Sequence, residues 1–312
     1  MNKTVQSAFY SYKSITIAIS VSLLYFITSY FLIGFKTDQL VLAFVFNTCF
    51  FASTYTRKFI IGFSIFIVYW IIFDYMKAFP NYTYNTVHIQ DLYNAEKALF
   101  GININGKIIT PNEFWIANHS TWIDVATGIF YLCWIPVPLA FAFYLFVKDK
   151  QLFLHFSITF VLVNFIGFVL YYLYPAAPPW YMQQFGTNFI AGTKGNTAGL
   201  NRFDSVTGLN VFHNLYAKSS NVFAAMPSLH SAYPLIVVYY GFQKKVGIVA
   251  TILFTIVMLG IWFAAIYTSH HYVLDVLAGI AVAVLGILIF QKIMLRIGWY
   301  RSMLQSFYER LV

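Results

Sequence analysis

Residues 246–293 read VGIVATILFTIVMLGIWFAAIYTSHHYVLDVLAGIAVAVLGILIFQKI. Two apolar runs, near 246–267 and 271–293, flank the short polar stretch Thr268-Ser-His-His271. At 1.5 Å per residue, each run as a helix is long enough to cross a hydrocarbon layer about 30 Å thick. Inside a bilayer every backbone group must be satisfied within the segment, so these runs are helices. A barrel would need short alternating runs instead.

Working outward, six further apolar stretches lie near 14–35, 38–54, 59–79, 122–147, 152–174 and 226–242. The second and sixth are short, and Pro136 and Pro138 predict a kink in the fourth. The whole chain agrees: 60% of its 312 residues are apolar and 9% carry full charge, against about a quarter charged in soluble domains. Too little polar surface exists to cover a water-soluble globule of this length. The expected fold is all-α, a polytopic integral membrane bundle of about eight transmembrane helices. The first run has no small-residue cleavage site after it and reads as a retained span. Cys49 and Cys133 sit inside apolar runs and read as buried thiols.

Alternation of the spans sorts the cations. With the N-terminus inside, twelve of the 19 Lys and Arg fall on the inner side, in tails and very short loops. Eight of the ten acids fall on or beside the outer side, Asp149 and Glu309 being the exceptions. The positive-inside rule therefore gives an N-in, C-in topology. Two long outer loops remain, roughly 80–121 and 175–225, of a length typical of lids and binding surfaces. No Lys/Arg-rich block reads as a nucleic-acid patch. The tail from 294 on, with Arg296, Trp299, Tyr300 and Arg301, reads as a basic interfacial anchor.

Ionisable groups at the ends of spans are costly and so are functional candidates. His230 lies in Met226-Pro-Ser-Leu-His230 at the outer start of the sixth span. His271 and Asp275 lie at the outer start of the eighth. The cation-derived topology puts all three on one side at one depth. On a helix, positions 271 and 275 share a face, so the carboxylate can accept from Nδ1–H of His271 and leave Nε2 with its lone pair. His230 supplies a second proton-transfer group. Pro227 and Ser228 suit a helix start, with Ser228 as cap. Two helix N-termini side by side would offer free N–H groups to an anion. The set describes phosphoryl transfer through a phosphohistidine. Alternatives are a metal site from His270, His271 and Asp275, or Ser228 as an acyl nucleophile, although the glycine-flanked elbow for that is missing. A non-catalytic transporter or pH sensor using the outer histidines is a third.

The same residues resemble the type 2 phosphatidic acid phosphatase superfamily, and within it the inositol phosphorylceramide synthase branch. The resemblance rests on Met226-Pro-Ser-Leu-His230 and His270-His-Tyr-Val-Leu-Asp275. Tyr174-Pro-Ala-Ala-Pro-Pro-Trp-Tyr181, Gly199-Leu-Asn-Arg-Phe-Asp204, Val87-His-Ile and the stretch from Glu96 to Gly101 add to it. It covers roughly residues 60–293. It implies that His271 attacks phosphorus, that Asp275 orients it, and that His230 protonates the leaving alcohol and then activates the acceptor. It also implies a six-helix core from spans three to eight, hence accessory helices over 1–58, a catalytic membrane domain over 59–293 and the basic tail over 294–312.

Departures from the superfamily narrow the substrate. Its phosphatases carry a Lys-x6-Arg-Pro block and an Arg six residues before the nucleophile. Here the block is missing and that position is Ala265. A phosphodiester carries one negative charge where a monoester carries nearly two, so it needs fewer fixed cations. The implied partners are a glycerophospholipid donor and a ceramide-like acceptor, with no metal or other cofactor; the oligomeric state is left open. A lipid phosphatase acting on phosphatidate or an isoprenyl diphosphate is the alternative. Candidate substrate-binding residues are Ser228, Pro179, Trp180, Tyr181, Arg202, Lys218, Asp74 and Lys77. Trp180 and Tyr181 read either as a headgroup wall or as interfacial aromatics. His119 and Asp124 are left unassigned, and His88, His155, His213 and His270 read as non-catalytic. Heavy Asn, Lys, Ile, Phe and Tyr usage points to a bacterial inner membrane with the site facing the periplasm. In a eukaryote that face would be lumenal, with Asn81 and Asn118 as glycan candidates.

Overall fold

The computed structural model describes residues 11–217 and 221–312. All eight apolar stretches are helical in it. They are α1 (Tyr12–Ile33), α2 (Thr37–Ala52) and α3 (Thr54–Tyr75). After a segment containing α4 (Gln90–Phe100), a hairpin of β1 (Ile102–Ile104) and β2 (Lys107–Ile109), and α5 (Pro111–Ala117), come α6 (Thr121–Leu132), α7 (Pro136–Lys148) and α8 (Lys150–Leu173). A second long connecting segment carries α9 (Pro179–Phe185), α10 (Asn201–Thr207) and α11 (Val211–Tyr216). The chain continues through α12 (Leu229–Lys244), α13 (Ile248–Tyr267) and α14 (Val273–Leu288), followed by α15 (Gly298–Leu311). The protein is an all-α polytopic membrane bundle.

Among the described residues, six apolar helical segments are long and apolar enough to cross a bilayer. The two stretches read as short, α2 and α12, have 16 residues each, about 24 Å of helix. The expected kink in the fourth span is a full break. Residues 133–135 leave the helix and Pro136 restarts it as the first residue of α7, a position where its missing N–H costs nothing.

α8 is the axis of the bundle. Phe153, Phe156 and Val163 on it are fully buried against α3, α7, α12 and α14. Polar pairs join the helices inside the apolar layer, including Tyr233 Oη donating to Asn164 Oδ1 at 2.6 Å and Thr159 with Tyr240 at 2.7 Å. Such bonds hold helices together where lipid removes the hydrophobic drive between them. The outward faces of α1 and α13 expose Leu24, Phe31, Leu253 and Ile256, as a lipid-facing surface must. The tail is more than an anchor: α15 buries Leu304 and Leu311 in the main core, against α3 and α8.

The two long connecting segments fold into a cap. The hairpin turns on Asn105 and Gly106, both at positive φ (50° and 81°), the conformation a two-residue turn between twisted strands requires. Parallel bridges join His88 to Ala176 and Ala176 to Ala224. Ala176 N–H donates to the Phe223 carbonyl at 2.9 Å and Ala177 N–H to the His88 carbonyl at 3.0 Å. Both loops thereby meet at the N-terminal ends of α12 and α14.

Candidate active site

A glycine sets the crossing of α12 and α14. A Cβ at Gly279 would lie 2.0 Å from the Ser228 carbonyl oxygen and 2.3 Å from Ser231 Oγ, so only a missing side chain permits this approach. Across the contact, Ser228 N–H donates to the Asp275 carbonyl at 2.9 Å, and Ser231 Oγ donates to the Val276 carbonyl at 3.1 Å. The first turn of α12, with His230, is thus fixed against the first turn of α14.

The turn before α14 holds the second imidazole. Ser269 sits at φ 59°, and the N–H groups of His270 and His271 both donate to the Ala265 carbonyl, at 3.1 and 3.0 Å. Three parts of the cap grip this turn. Gly199 N–H donates to the Thr268 carbonyl at 2.9 Å and Trp180 N–H to the Ser269 carbonyl at 3.1 Å. Asn112 Nδ2 donates to the carbonyls of Ile266 and His271, at 2.8 and 2.9 Å.

This scaffold brings His230 Nδ1 to 3.0 Å from His271 Nε2. The rings touch directly and leave no gap between them. Tyr131 Oη stands 3.4 Å from the same His230 nitrogen and accepts from Tyr216 Oη at 3.2 Å. His270, read as non-catalytic, packs its ring on Tyr216 at 4.7 Å and Tyr131 at 5.4 Å, and its Nδ1 lies 3.2 Å from the Thr268 carbonyl. Among the described residues no three His, Cys, Asp or Glu side chains gather as metal ligands, so the alternative of His270, His271 and Asp275 around a metal does not form.

The expected i, i+4 helical pairing of His271 and Asp275 takes a different form. α14 begins at Val273, so His271 lies in the turn and not on the helix. Asp275 Oδ2 is 3.6 Å from His271 Nδ1, beyond hydrogen-bond reach. That oxygen instead accepts from Tyr272 N–H at 2.8 Å. Asp275 Oδ1 and His271 Nδ1 are both buried without a partner. Burial pushes the His271 imidazole down to about 4, against the opposing pull of the Ala225 carbonyl, and takes His270 down to about 3. Both rings are therefore neutral at pH 7.

The expectation of two free helix N-termini fails at α14. Glu96, fully buried on α4, accepts from Val273 N–H at 2.9 Å and Leu274 N–H at 3.1 Å. With Tyr272 N–H on Asp275, the start of α14 is already capped by two carboxylates and has no room for a third anion. Burial raises the Glu96 carboxyl, and the two N–H groups oppose that rise. At α12, Ser228 occupies the cap position, but its Oγ makes no capping bond and is buried without a partner.

The remaining candidates divide. Arg202 Nε donates to Asp124 Oδ1 at 2.6 Å, its guanidinium lies 5.0 Å over the Tyr267 ring, and its Nη2 is buried without a partner. Asp124 also accepts from Tyr267 Oη at 2.8 Å and lies 3.3 Å from His119 Nδ1, which gives the two unassigned residues a place. Trp180 and Tyr181 are buried in the cap core with Ile89, Val222 and Phe223, so their rings form neither an open headgroup wall nor an interfacial belt. Pro179 lines an open cleft. Asp74 and Lys77 pair with each other at 2.6 Å where α3 ends. Lys218 lies outside the described residues. Glu96, Asn112 and Tyr131 were not singled out as site residues. Asn112 sits in Thr110-Pro-Asn-Glu113, a capping-box pattern that marks a helix start but says nothing of its side chain.

The PAP2 superfamily profile matches residues 90–289. The phosphoinositol dihydroceramide synthase of Bacteroides thetaiotaomicron is 40% identical over 298 residues, 95% of this chain and 97% of that protein. The inositol phosphorylceramide synthase catalytic subunit AUR1 of Saccharomyces cerevisiae is 27% identical over 72% of this chain and 54% of its own length. The inositol phosphorylceramide synthase of Candida albicans is 25% identical over 87% of this chain and 55% of its own. The chain thus spans about half the length of these fungal relatives. No solved structure matches it.

Proposed function

The chain belongs to the PAP2 superfamily, and from that premise we propose that it transfers inositol phosphate from a glycerophospholipid to the primary hydroxyl of a ceramide-type lipid. The relative that matches nearly end to end is named for this chemistry. The observation that carries the reading is the pair of ring nitrogens, His230 Nδ1 and His271 Nε2, 3.0 Å apart with Asp275 behind the second ring.

The transfer step requires particular tautomers. For Nε2 of His271 to hold a lone pair, the shared proton belongs to His230 Nδ1, and the His271 proton sits on Nδ1 facing Asp275. The donor phosphodiester enters by parting the two rings. His271 Nε2 forms a bond to phosphorus as the bond from phosphorus to the diacylglycerol oxygen breaks, and His230, entering this step as the imidazolium, passes its Nδ1 proton to that oxygen and is left neutral. The ceramide hydroxyl then gives its proton to His230 and attacks phosphorus, and the P–N bond breaks. Asp275, rotating onto Nδ1–H, stabilises the cationic phosphohistidine. The unpartnered Nη2 of Arg202 supplies the cation that position 265 lacks. Its guanidinium is held by Asp124 and so is ordered before substrate arrives.

The protein is integral to the membrane. The cation distribution supports a site on the non-cytoplasmic face, periplasmic in a bacterium, with a catalytic domain over 59–293, helices 1–58 as an accessory pair and the tail over 294–312 as a cytoplasmic brace. The test is lipid mass spectrometry of vesicles containing phosphatidylinositol and ceramide. The wild type forms inositol phosphorylceramide and diacylglycerol in equal amounts, and His271→Ala forms neither. Release of phosphate or inositol phosphate with no ceramide product would show a phosphatase instead.

A further inference from the structure

Beside the histidine turn, on its cap side, lies an open cleft of about 200 Å³. Its polar lining comes from Tyr93 on α4, Thr110 and Glu113 at the start of α5, Gln183 on α9, and Tyr272. Pro179 and Met182 complete one wall with apolar surface. The phosphoryl-transfer chemistry described above uses none of the polar groups. We propose that this cleft is the subsite for the donor's cyclitol ring, an uncharged ring of vicinal hydroxyls. The inference rests on the inositol phosphate transfer reading and names the pocket for it.

The lining selects that chemistry. Glu113 is the carboxylate acceptor in its lining, and it is held in place: Tyr93 Oη donates to Oε1 at 2.9 Å and Thr110 N–H to Oε2 at 2.7 Å. Each oxygen keeps a further lone pair for a substrate hydroxyl. No Lys or Arg lines the cleft, so a phosphate or carboxylate placed there would meet Glu113 uncompensated. An acyl chain would strip water from the carboxylate and return no hydrogen bond. A polyol does neither, since it donates to the carboxylate, accepts from the Gln183 amide, and lays its C–H face on Pro179 and Met182.

The cleft is also coupled to the reacting nitrogen. Tyr272 follows His271 directly. Asn112, the neighbour of Glu113, donates to the His271 carbonyl at 2.9 Å, and Gln183 Nε2 donates to Ser269 Oγ at 3.2 Å. A ring bound here is held by the same short segments that hold the nucleophile, which converts headgroup binding into orientation of its phosphate.

Three variants of the full chain in vesicles test this: Gln183→Ala at the exposed rim, Tyr93→Phe, and Glu113→Gln. Each should raise KM for phosphatidylinositol about fivefold to tenfold, the worth of one hydrogen bond, with KM for ceramide unchanged. Glu113→Gln should also narrow the preference for phosphatidylinositol over phosphatidylglycerol. Donor KM unmoved in all three, or donor and acceptor KM rising together, would overturn the assignment. A second measurement does not depend on turnover. In a Gln183→Cys variant, maleimide labelling at that position, read by peptide mass spectrometry, should be slowed by inositol 1-phosphate and not by glycerol 3-phosphate. Equal protection or none would place the headgroup elsewhere. A wild type that makes no inositol phosphorylceramide yet shows selective protection would fault the transfer reading and leave the pocket standing.

Discussion

The carboxylate of Glu96 accepts the backbone N–H of Val273 at 2.9 Å, joining α4 to the helix start two residues after His271. Its other oxygen takes Leu274 N–H. A buried carboxylate that uses both oxygens on consecutive N–H groups fixes the direction of α14 at the point where the histidine turn meets it.

Glu96→Ala should therefore lower kcat more than KM, because Glu96 positions the nucleophile without touching substrate. Two buried N–H groups lose their acceptor, each at about 1–3 kcal/mol, so thermal stability in detergent should fall as well. Glu96→Gln keeps one acceptor and turns an NH2 group toward the second N–H, so it should fall between the wild type and Glu96→Ala in both measurements. A rise in KM alone would assign Glu96 to substrate binding.

Gly279→Ala tests the helix crossing. A methyl carbon 2.0 Å from the Ser228 carbonyl cannot be absorbed by a side-chain rotation, because the neighbour is backbone. α12 and α14 must separate, and the imidazoles with them. The expected result is a drop in kcat of at least about tenfold, since misplacement by about 1 Å can cost a hundredfold. Membrane insertion should be retained, because no polar group is added. Cross-linking between cysteines introduced on the facing helices would report the wider spacing directly.

Much of this was legible before the structure. The helical bundle follows from apolar runs that admit no other backbone in lipid, and the span ends group His230, His271 and Asp275, whose rings and carboxylate the fold brings together. What the sequence could not show is where α14 begins. Residues 271 and 275 have helical spacing, but Asp275 caps Tyr272 N–H and Glu96 takes the next two N–H groups, so the helix starts after His271. The Glu96 contact is made between residues 177 positions apart and leaves no periodic trace. Trp180 and Tyr181 resemble interfacial aromatics in composition. Their burial is set by the bridges between residues 88, 176 and 224, pairings that no local pattern announces.

Arg202 and Asp124 make a second pair whose roles can be separated. The Arg202 fork donates Nε to Asp124 and leaves Nη2 unpartnered. A lysine has a single ammonium and cannot reproduce that planar geometry. Arg202→Lys should lower kcat/KM for the phospholipid about tenfold to a hundredfold, the range for losing one charge-assisted bond. Asp124→Asn keeps an oxygen for Nε and for Tyr267 but weakens the hold, so its loss should be smaller and appear mainly in donor KM. If the lysine variant matched the wild type, the guanidinium would be a structural brace and another cation would hold the phosphate.

Burial holds His271 near 4 in the folded protein, against an ordinary imidazole value of 6.5. Two consequences share one sign. Above pH 6.5 the ring is neutral in folded and unfolded chains alike, and its titration contributes nothing to the pH dependence of stability. Between 6.5 and about 4 the unfolded chain takes up a proton that the folded chain refuses, so stability falls as pH falls across that window. Catalysis follows the folded value, because the attacking nitrogen keeps its lone pair until the ring itself is protonated. The acid limb of kcat/KM for the donor should therefore lie well below 6.5, with most activity retained at pH 5.5, while thermal stability in detergent already declines there. A limb centred at 6.5 would mean that water reaches the ring in the working enzyme and that the tight contact between His230 and His271 is opened before the donor arrives.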